Sequence, residues 1–542
     1  MEKNIINGPE LEDPIEFTLG ELLMLTLQMN GEKVLQVAAD TGEEATGNDI
    51  LKKSIRIARW LQWKGFAPGD RISIMSENRL EFTWIPCAAF LSGITIAPLN
   101  PEYTADELTH TLNLSRPKVI FCSPSCLNKI VSATGAHPFI KHVVVFGRSP
   151  PLQHSMVISL ENALEARFLD SLENEEYVCP ELDKKEIIAT ILCSSGTTGK
   201  PKGVMTTQHN MTTFIALLKQ ISNKSIEDEG GEVVVGLVPF FHSMGFMILF
   251  LALIGGRKLV AMRRFTVKHL LQSIQDYKIN ILSVPPPVVV MLCQTPLLNQ
   301  YDLSSINEVR CGAAPLAREF ELKICKKLKV TEVSQAYGMT ETTLGVLFIT
   351  PGASRLGSVG RVVPTMSAKV IDEQGNALGP NQLGELCFKG PLIMKGYIND
   401  TTATADTVDK DGWLHTGDVG YYDNDKFFYI VDRIKELIKY KAYQVPPAEL
   451  EALLVTHPDI LDAAVIGLPD DEAGELPLGY VVLRPGATAT PRDIQEFVKG
   501  KVSSQKQLRG GVRIIELIPR NPTGKILRRV LKAMSIRAQA KL

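Results

Sequence analysis

The chain has 542 residues, 45% of them hydrophobic and 22% charged, with 41 Gly and 32 Pro, a composition that excludes a disordered or collagen-like protein and supplies more than one core. Its 58 Lys and Arg nearly balance 60 Asp and Glu, leaving a formal charge of −2, so no bulk attraction to nucleic acid or an acidic membrane is implied. The nine cysteines are odd in number and sit singly in apolar contexts, as at Cys87, Cys193, Cys311 and Cys387, which fits a reducing compartment, and Cys122 and Cys126 lack a second pair to complete a zinc tetrahedron.

The first residues, "MEKNIINGPELEDPIEF", are acidic and lack the basic region and apolar run of a secretory signal. Apolar spacing in "DILKKSIRIARWLQWKGFAPGD" predicts a helix ending at Gly65 and Pro68. Short β-branched strands are predicted at residues 71–76, 95–99, 118–122 and 142–146. Such alternation of helix and strand argues for α/β layers around parallel sheet. Residues 233–256 contain no charged side chain and are long enough to cross a bilayer, but Pro239, His242, Ser243 and Gly245 interrupt them. A strand at 233–238, a loop and a core helix at about 246–254 are predicted instead of a transmembrane segment. After Gly357 short alternating segments punctuated by Gly and Pro suggest a β-rich subdomain running to Val431. Beyond it a helix at 447–454, strands in "DAAVIGLP" and "GYVVLRP" and a helix from about Thr490 read as a compact α+β unit. The boundary is set between an N-terminal domain, residues 1–433, and a C-terminal domain, residues 434–542.

The most specific segment is "TILCSSGTTGKPKGVMTTQHN", where a strand runs into Ser194, Ser195, Gly196, Thr197, Thr198, Gly199, Lys200, Pro201 and Lys202. Hydroxyls, permissive glycines and lysines suit a loop that wraps phosphate oxygens. It is not a Walker A loop, because Pro201 follows Lys200 and the spacing differs.

With this string the chain resembles the adenylate-forming superfamily of acyl-CoA synthetases, coumarate-CoA ligases and beetle luciferases, and the match runs from about residue 50 to the C-terminal tripeptide. The resemblance implies a large adenylate-forming domain of layered α/β subdomains plus a β-rich subdomain, with a small mobile α+β lid. "GAAP", Gly312, Ala313, Ala314 and Pro315, resembles the adenine-binding segment, and "QAYGMTETT", from Gln335, Ala336, Tyr337 and Gly338 onward, the most diagnostic motif. By resemblance Tyr337 stacks on adenine, Thr340 contacts the α-phosphate and Glu341 helps hold Mg2+; an aromatic face, a hydroxyl donor and a hard oxygen ligand are what ATP with magnesium requires. "GWLHTGDVGYY" resembles the segment whose Asp, here Asp418, accepts from both ribose hydroxyls. In "VDRIK", Arg433 resembles a second ribose or phosphate contact and Lys435 the hinge. "NPTGKILRR" resembles the loop with the adenylation lysine, Lys525, and "KYKAYQ" carries Lys439, which the resemblance assigns to the second half-reaction after the lid swings.

The segments "FFHSMGFM", "CGAAP" and "ETTLG" resemble the acid-pocket walls, so His242, Met244, Phe246, Gly312 and Leu344 are predicted to line a largely apolar site for a hydrophobic carboxylic acid. The C-terminal domain reads closest to beetle luciferases, yet Leu344 replaces the serine that follows "TETT" there, and "TTFIALLKQ" lacks their basic residue. Ala442 replaces the usual Gly beside the pantetheine channel. The expectation is therefore a luciferase-like acyl-CoA synthetase using ATP, Mg2+ and CoA, with a light-emitting luciferase as the alternative. The last residues, Ala540, Lys541 and Leu542, resemble the Ser-Lys-Leu address read by the peroxisomal import receptor, which predicts a peroxisomal location.

Overall fold

The structure, a computed structural model, describes residues 4–147, 155–172, 175–194, 201–222, 231–441, 443–470, 472–521 and 524–539. The Ser195, Gly196, Thr197, Thr198 and Gly199 stretch of the expected phosphate loop, Ala442, and the Ala540, Lys541 and Leu542 tail lie outside these residues.

The predicted early strands form the parallel heart of an eight-stranded sheet: Arg71–Met75 pairs with Thr95–Leu99 on one side and Val119–Cys122 on the other, followed by His142–Val145. Gly47–Trp63 forms the helix expected before them, with Thr46 and Asp49 making a reciprocal capping box at its start. Its apolar stripe, including Ile50, Ile57, Trp60 and Leu61, is buried in the central core. A nine-stranded sheet lies beside the first, and its parallel strands include Val233–Gly236, Ile281–Val284, Glu308–Cys311 and Val333–Tyr337.

The uncharged run folds as the strand Val233–Gly236 and the helix Ser243–Ile254, with no helix among the described residues long and apolar enough to cross a membrane. The helix starts at Ser243 rather than near Phe246, because Gly245 is pressed against the backbone of Val238 and Pro239, where a Cβ would stand 2.2 Å from the Pro239 carbonyl oxygen. Glycine there lets the chain turn into the helix at once.

The β-rich part expected after Gly357 is a five-stranded antiparallel sheet containing Ser367–Ile371, Gly384–Lys389, Leu414–Tyr422 and Phe428–Arg433. Sheet membership changes between Arg433 and Ile438: the strand Ile438–Tyr440 belongs to a separate sheet built on the antiparallel pair Ile460–Asp470 and Gly474–Leu483. Helix Pro447–Leu454 covers that sheet with its own core of Ile438, Leu450, Leu454, Val465 and Val481. The two ends of "KYKAYQ" lie in paired strands, Ile438–Tyr440 running antiparallel to Tyr443–Val445.

Candidate active site

Where the two sheets of the large part, the β-rich sheet and the small domain meet, a cavity of about 1090 Å3 opens. Ser194, Lys202, His242, Met244, Gly312, Ala313, Ala336, Tyr337, Gly338, Thr340, Glu341, Leu344, Arg433, Lys435 and Lys525 all lie on its wall, residues more than 300 positions apart in the chain.

The loop after strand Val333–Tyr337 makes the centre of this wall. A Cβ on Gly338 would stand 1.5 Å from the Leu344 carbonyl oxygen, so glycine is required for the loop to fold back on itself. The closure is held by Leu344 N–H donating to Met339 O at 3.2 Å and Val346 N–H to Tyr337 O at 2.9 Å. Thr343 and Leu344 take φ of +51° and +86°, unusual for residues with side chains, and the second of these turns Leu344 to the cavity. Thr340 donates weakly to Ser243 Oγ at 3.4 Å, joining the loop to the start of helix Ser243–Ile254. Glu341 is buried, and its Oε1 accepts from the Tyr397 hydroxyl at 2.8 Å. A carboxylate fixed in this way on the cavity wall fits a hard divalent cation that accompanies a nucleotide.

Asp418 is buried between Tyr337 and Arg433. The Tyr337 hydroxyl donates to its Oδ2 at 2.6 Å, while Arg433 Nε stands 3.0 Å from Oδ1 as an ion pair without hydrogen-bond alignment. Asp418 itself stands behind the cavity wall that Tyr337, Gly417 and Arg433 form, and its buried Oδ1 keeps an unfilled acceptor. Burial pushes the Asp418 carboxyl up, with Arg433, Tyr337 and Lys525 opposing it. Burial and the Arg433 charge hold the Lys525 ammonium below the usual lysine range, against the pull of Asp418, Glu341 and Glu436. His242 is pushed down to about 3 by burial first and Lys525 second, and its Nδ1 is buried without a partner, so the ring is neutral at physiological pH.

Several predicted residues stand off the cavity. Phe246 is fully buried behind it, packed against Phe250 at 4.8 Å and Phe90 at 6.3 Å between ring centroids. Two positions along a helix from Met244 is about 200° of rotation, which corrects the expectation that both face the acid pocket. Beyond Ser243 at its start, the wall-facing positions of this helix are Met244, Ile248, Leu251 and Ile254, and helical spacing from Met244 would have found the last three. Gln335 likewise leaves the wall: strand alternation turns Ser334 and Ala336 to the cavity and Gln335 away, where its Nε2 donates to Glu321 Oε2 at 2.9 Å. Ala314 and Pro315 follow Ala313, whose φ of +72° bends the chain off the wall. Lys439 is exposed on the strand Ile438–Tyr440 and away from the cavity that Lys525 enters. Ser243, which holds Thr340, lies within the "FFHSMGFM" segment but was not singled out there, and Tyr397, which holds Glu341, carried no motif signal, nor did the contributions of Leu22, Thr26 and Met29 from the first helix, Leu19–Met29.

Residues 26–398 match the family model of the AMP-binding enzymes and residues 449–525 that of the AMP-binding enzyme C-terminal domain. The chain is 38% identical to luciferin 4-monooxygenase of Nipponoluciola cruciata over 100% of its own length and 99% of the relative's. It is 35% identical to a 4-coumarate–CoA ligase of Humulus lupulus, covering 98% of this chain and 96% of that one. Among solved structures, ATP-bound MatB from Rhodopseudomonas palustris superposes with a TM-score of 0.84 at 25% identity, over 96% of this chain and 99% of that chain. With both family domains matched and full-length relatives above 30% identity, the chain belongs to the AMP-binding, adenylate-forming enzymes.

Proposed function

We propose that the protein joins a hydrophobic carboxylic acid, fatty or aromatic, to coenzyme A through an acyl-adenylate made from ATP. The observation that carries this reading is the continuity of one cavity from a polar end at Tyr337, Thr340, Arg433 and Lys525 to an apolar wall of Met244, Ile248, Leu251, Leu344 and Phe348. A charged head and an apolar body can then share one site.

In the first step an oxygen of the acid's carboxylate bonds to the α-phosphorus and the bond to pyrophosphate breaks. Lys525 and the Thr340 hydroxyl stabilise the charge that builds on the phosphoryl oxygens, a task worth most in a site shielded from water. Glu341 would hold the Mg2+ that travels with the nucleotide, whose chemistry there is neutralisation of phosphate charge. Asp418 takes the ribose hydroxyls, and its bond from Tyr337 fixes both residues against the nucleotide. Neutral His242 orients the acid by hydrogen bonding without adding a charge beside Lys525.

In the second step the CoA thiol attacks the adenylate carbonyl and AMP leaves. Lys439, exposed outside the cavity, would serve this step after the small domain turns about Lys435, so each face of that domain brings one lysine. The C-terminal Ala540, Lys541 and Leu542 would be read by the peroxisomal import receptor.

The second reading, a luciferase that oxidises an adenylated luciferin with O2, is favoured by the 38% identity to luciferin 4-monooxygenase. Leu344 on the wall stands against it, since it offers no hydroxyl to organise water beside the substrate. Incubation with ATP, Mg2+ and a panel of fatty, cinnamic and luciferin-type acids, with and without CoA, separates the two when AMP, acyl-CoA and photons are counted together. Acyl-CoA without light supports the ligase; light and AMP with little thioester overturn it. For location, a fluorescent fusion carrying the native C-terminus should colocalise with peroxisomes and lose that pattern when the last three residues are removed.

A further inference from the structure

In the β-rich sheet, the strands Gly384–Lys389 and Leu414–Tyr422 pair antiparallel with Cys387 opposite His415, and the register shifts between Glu385 and Cys387. A bulge of this kind re-aims side chains, and here it gathers three different donor types. His415 Nδ1 stands 3.1 Å from Glu385 Oε2 and 3.6 Å from Cys387 Sγ, and the three side chains offer one ligand atom each within 4.8 Å of one another.

One ring nitrogen cannot serve both neighbours well, because Nδ1 carries at most one proton to donate. A single cation between them can. Ligand edges in a tetrahedral zinc site built from bonds of about 2.0 Å to nitrogen or oxygen and about 2.3 Å to sulfur are roughly 3.3 Å and roughly 3.5 Å, close to the two separations here.

The surroundings are those of a supported ligand set. His415 Nε2, the far nitrogen, lies 3.5 Å from Asp409 Oδ2, while Asp409 Oδ1 is fixed by the backbone N–H groups of Asp411 and Trp413 at 2.9 Å each. Glu385 Oε1 accepts from Gly417 N–H at 2.9 Å, leaving Oε2 aimed at the cluster. A carboxylate behind a ligating histidine and a backbone bond behind a ligating carboxylate are how proteins orient such ligands. Glu385 and His415 reach the cavity wall, which supplies an entry path, and Cys387 is fully buried beneath them.

We propose that Glu385, Cys387 and His415 form a binding site for a zinc-class divalent cation, separate from the magnesium that accompanies ATP and independent of which acid the enzyme uses. The mixed oxygen, nitrogen and sulfur set selects a borderline-soft ion and disfavours Mg2+, which prefers oxygen ligands. As the sulfur–metal bond forms, the Cys387 thiol releases its proton to solvent. The ion would tie together the two strands next to Gly417 and Asp418, clamping the segment from below the nucleotide end of the cavity.

The test uses the full-length protein stripped of metal, titrated with Co2+ and then Zn2+. One equivalent of Co2+ should give the near-ultraviolet sulfur-to-cobalt band, Zn2+ should displace it, and millimolar Mg2+ should not. Cys387→Ser and His415→Ala should each abolish the band, and Asp409→Asn should keep it while weakening Zn2+ affinity about 10–100-fold. Melting curves of the metal-free variants identify any that fail to fold, and the band in Asp409→Asn keeps the ligand set testable in that case. Absence of the band in the wild type, its persistence in Cys387→Ser through another cysteine, or displacement by Mg2+ would each overturn the site.

Discussion

The Tyr337 hydroxyl donates a 2.6 Å hydrogen bond to Asp418 Oδ2, tying the end of the strand Val333–Tyr337 to the antiparallel sheet 81 positions further along the chain. The bond leaves the other oxygen of Asp418 ion-paired with Arg433 at 3.0 Å and without a hydrogen bond, so one residue pair both joins two subdomains and holds a charged carboxylate next to the cavity wall.

Replacing Tyr337 with Phe should therefore raise the KM for ATP about tenfold with a smaller change in kcat, because a buried carboxylate oxygen loses a partner worth ~1–2 kcal/mol. Steady-state kinetics against ATP at saturating acid checks it. A fall in kcat with unchanged KM would mean that the pair acts on the transition state instead.

Lys525→Ala should slow adenylate formation by orders of magnitude while preformed adenylate still reacts with CoA, and Lys439→Ala should do the reverse. The basis is their opposite placement, one lysine on the cavity wall and the other exposed away from it. Separate assays of pyrophosphate exchange and of thioester formation from synthetic adenylate read the two steps; equal losses in both would sink the division of labour.

His242 has a folded pKa of about 3, below its ordinary value of 6.5. The unfolded chain then binds the extra proton first as pH falls, so this residue contributes stability that is present above pH 6.5 and lost as pH falls toward 3. Urea unfolding of the wild type and of His242→Gln between neutral and mildly acidic pH should show the steeper acid loss in the wild type. Parallel curves would contradict a buried neutral ring.

Ile248→Trp should fill the apolar end without reaching the polar one, since Ile248 stands one helical turn past Met244 on the same face. The KM for long acids should rise at least tenfold while short acids are little affected. Equal penalties across chain length would place the acid elsewhere in the cavity.

What the sequence determined by itself was whatever sits in contiguous strings. The strands at residues 71–75 and 95–99, the helix Pro447–Leu454 and the family itself were legible because β-branching, a proline at a helix start and motif order are local properties. The mistakes were of phase: Phe246 and Gln335 share motifs with wall residues, yet helix and strand geometry turn them into the protein. Other features had no sequence signal because they depend on distant segments meeting. Tyr397 holds Glu341 across 56 positions, Met29 of the first helix reaches the cavity, and Cys387 faces His415 only through strand register. Motifs name the chemistry a loop can perform, but long-range packing decides which side chains share a volume and which way each of them points.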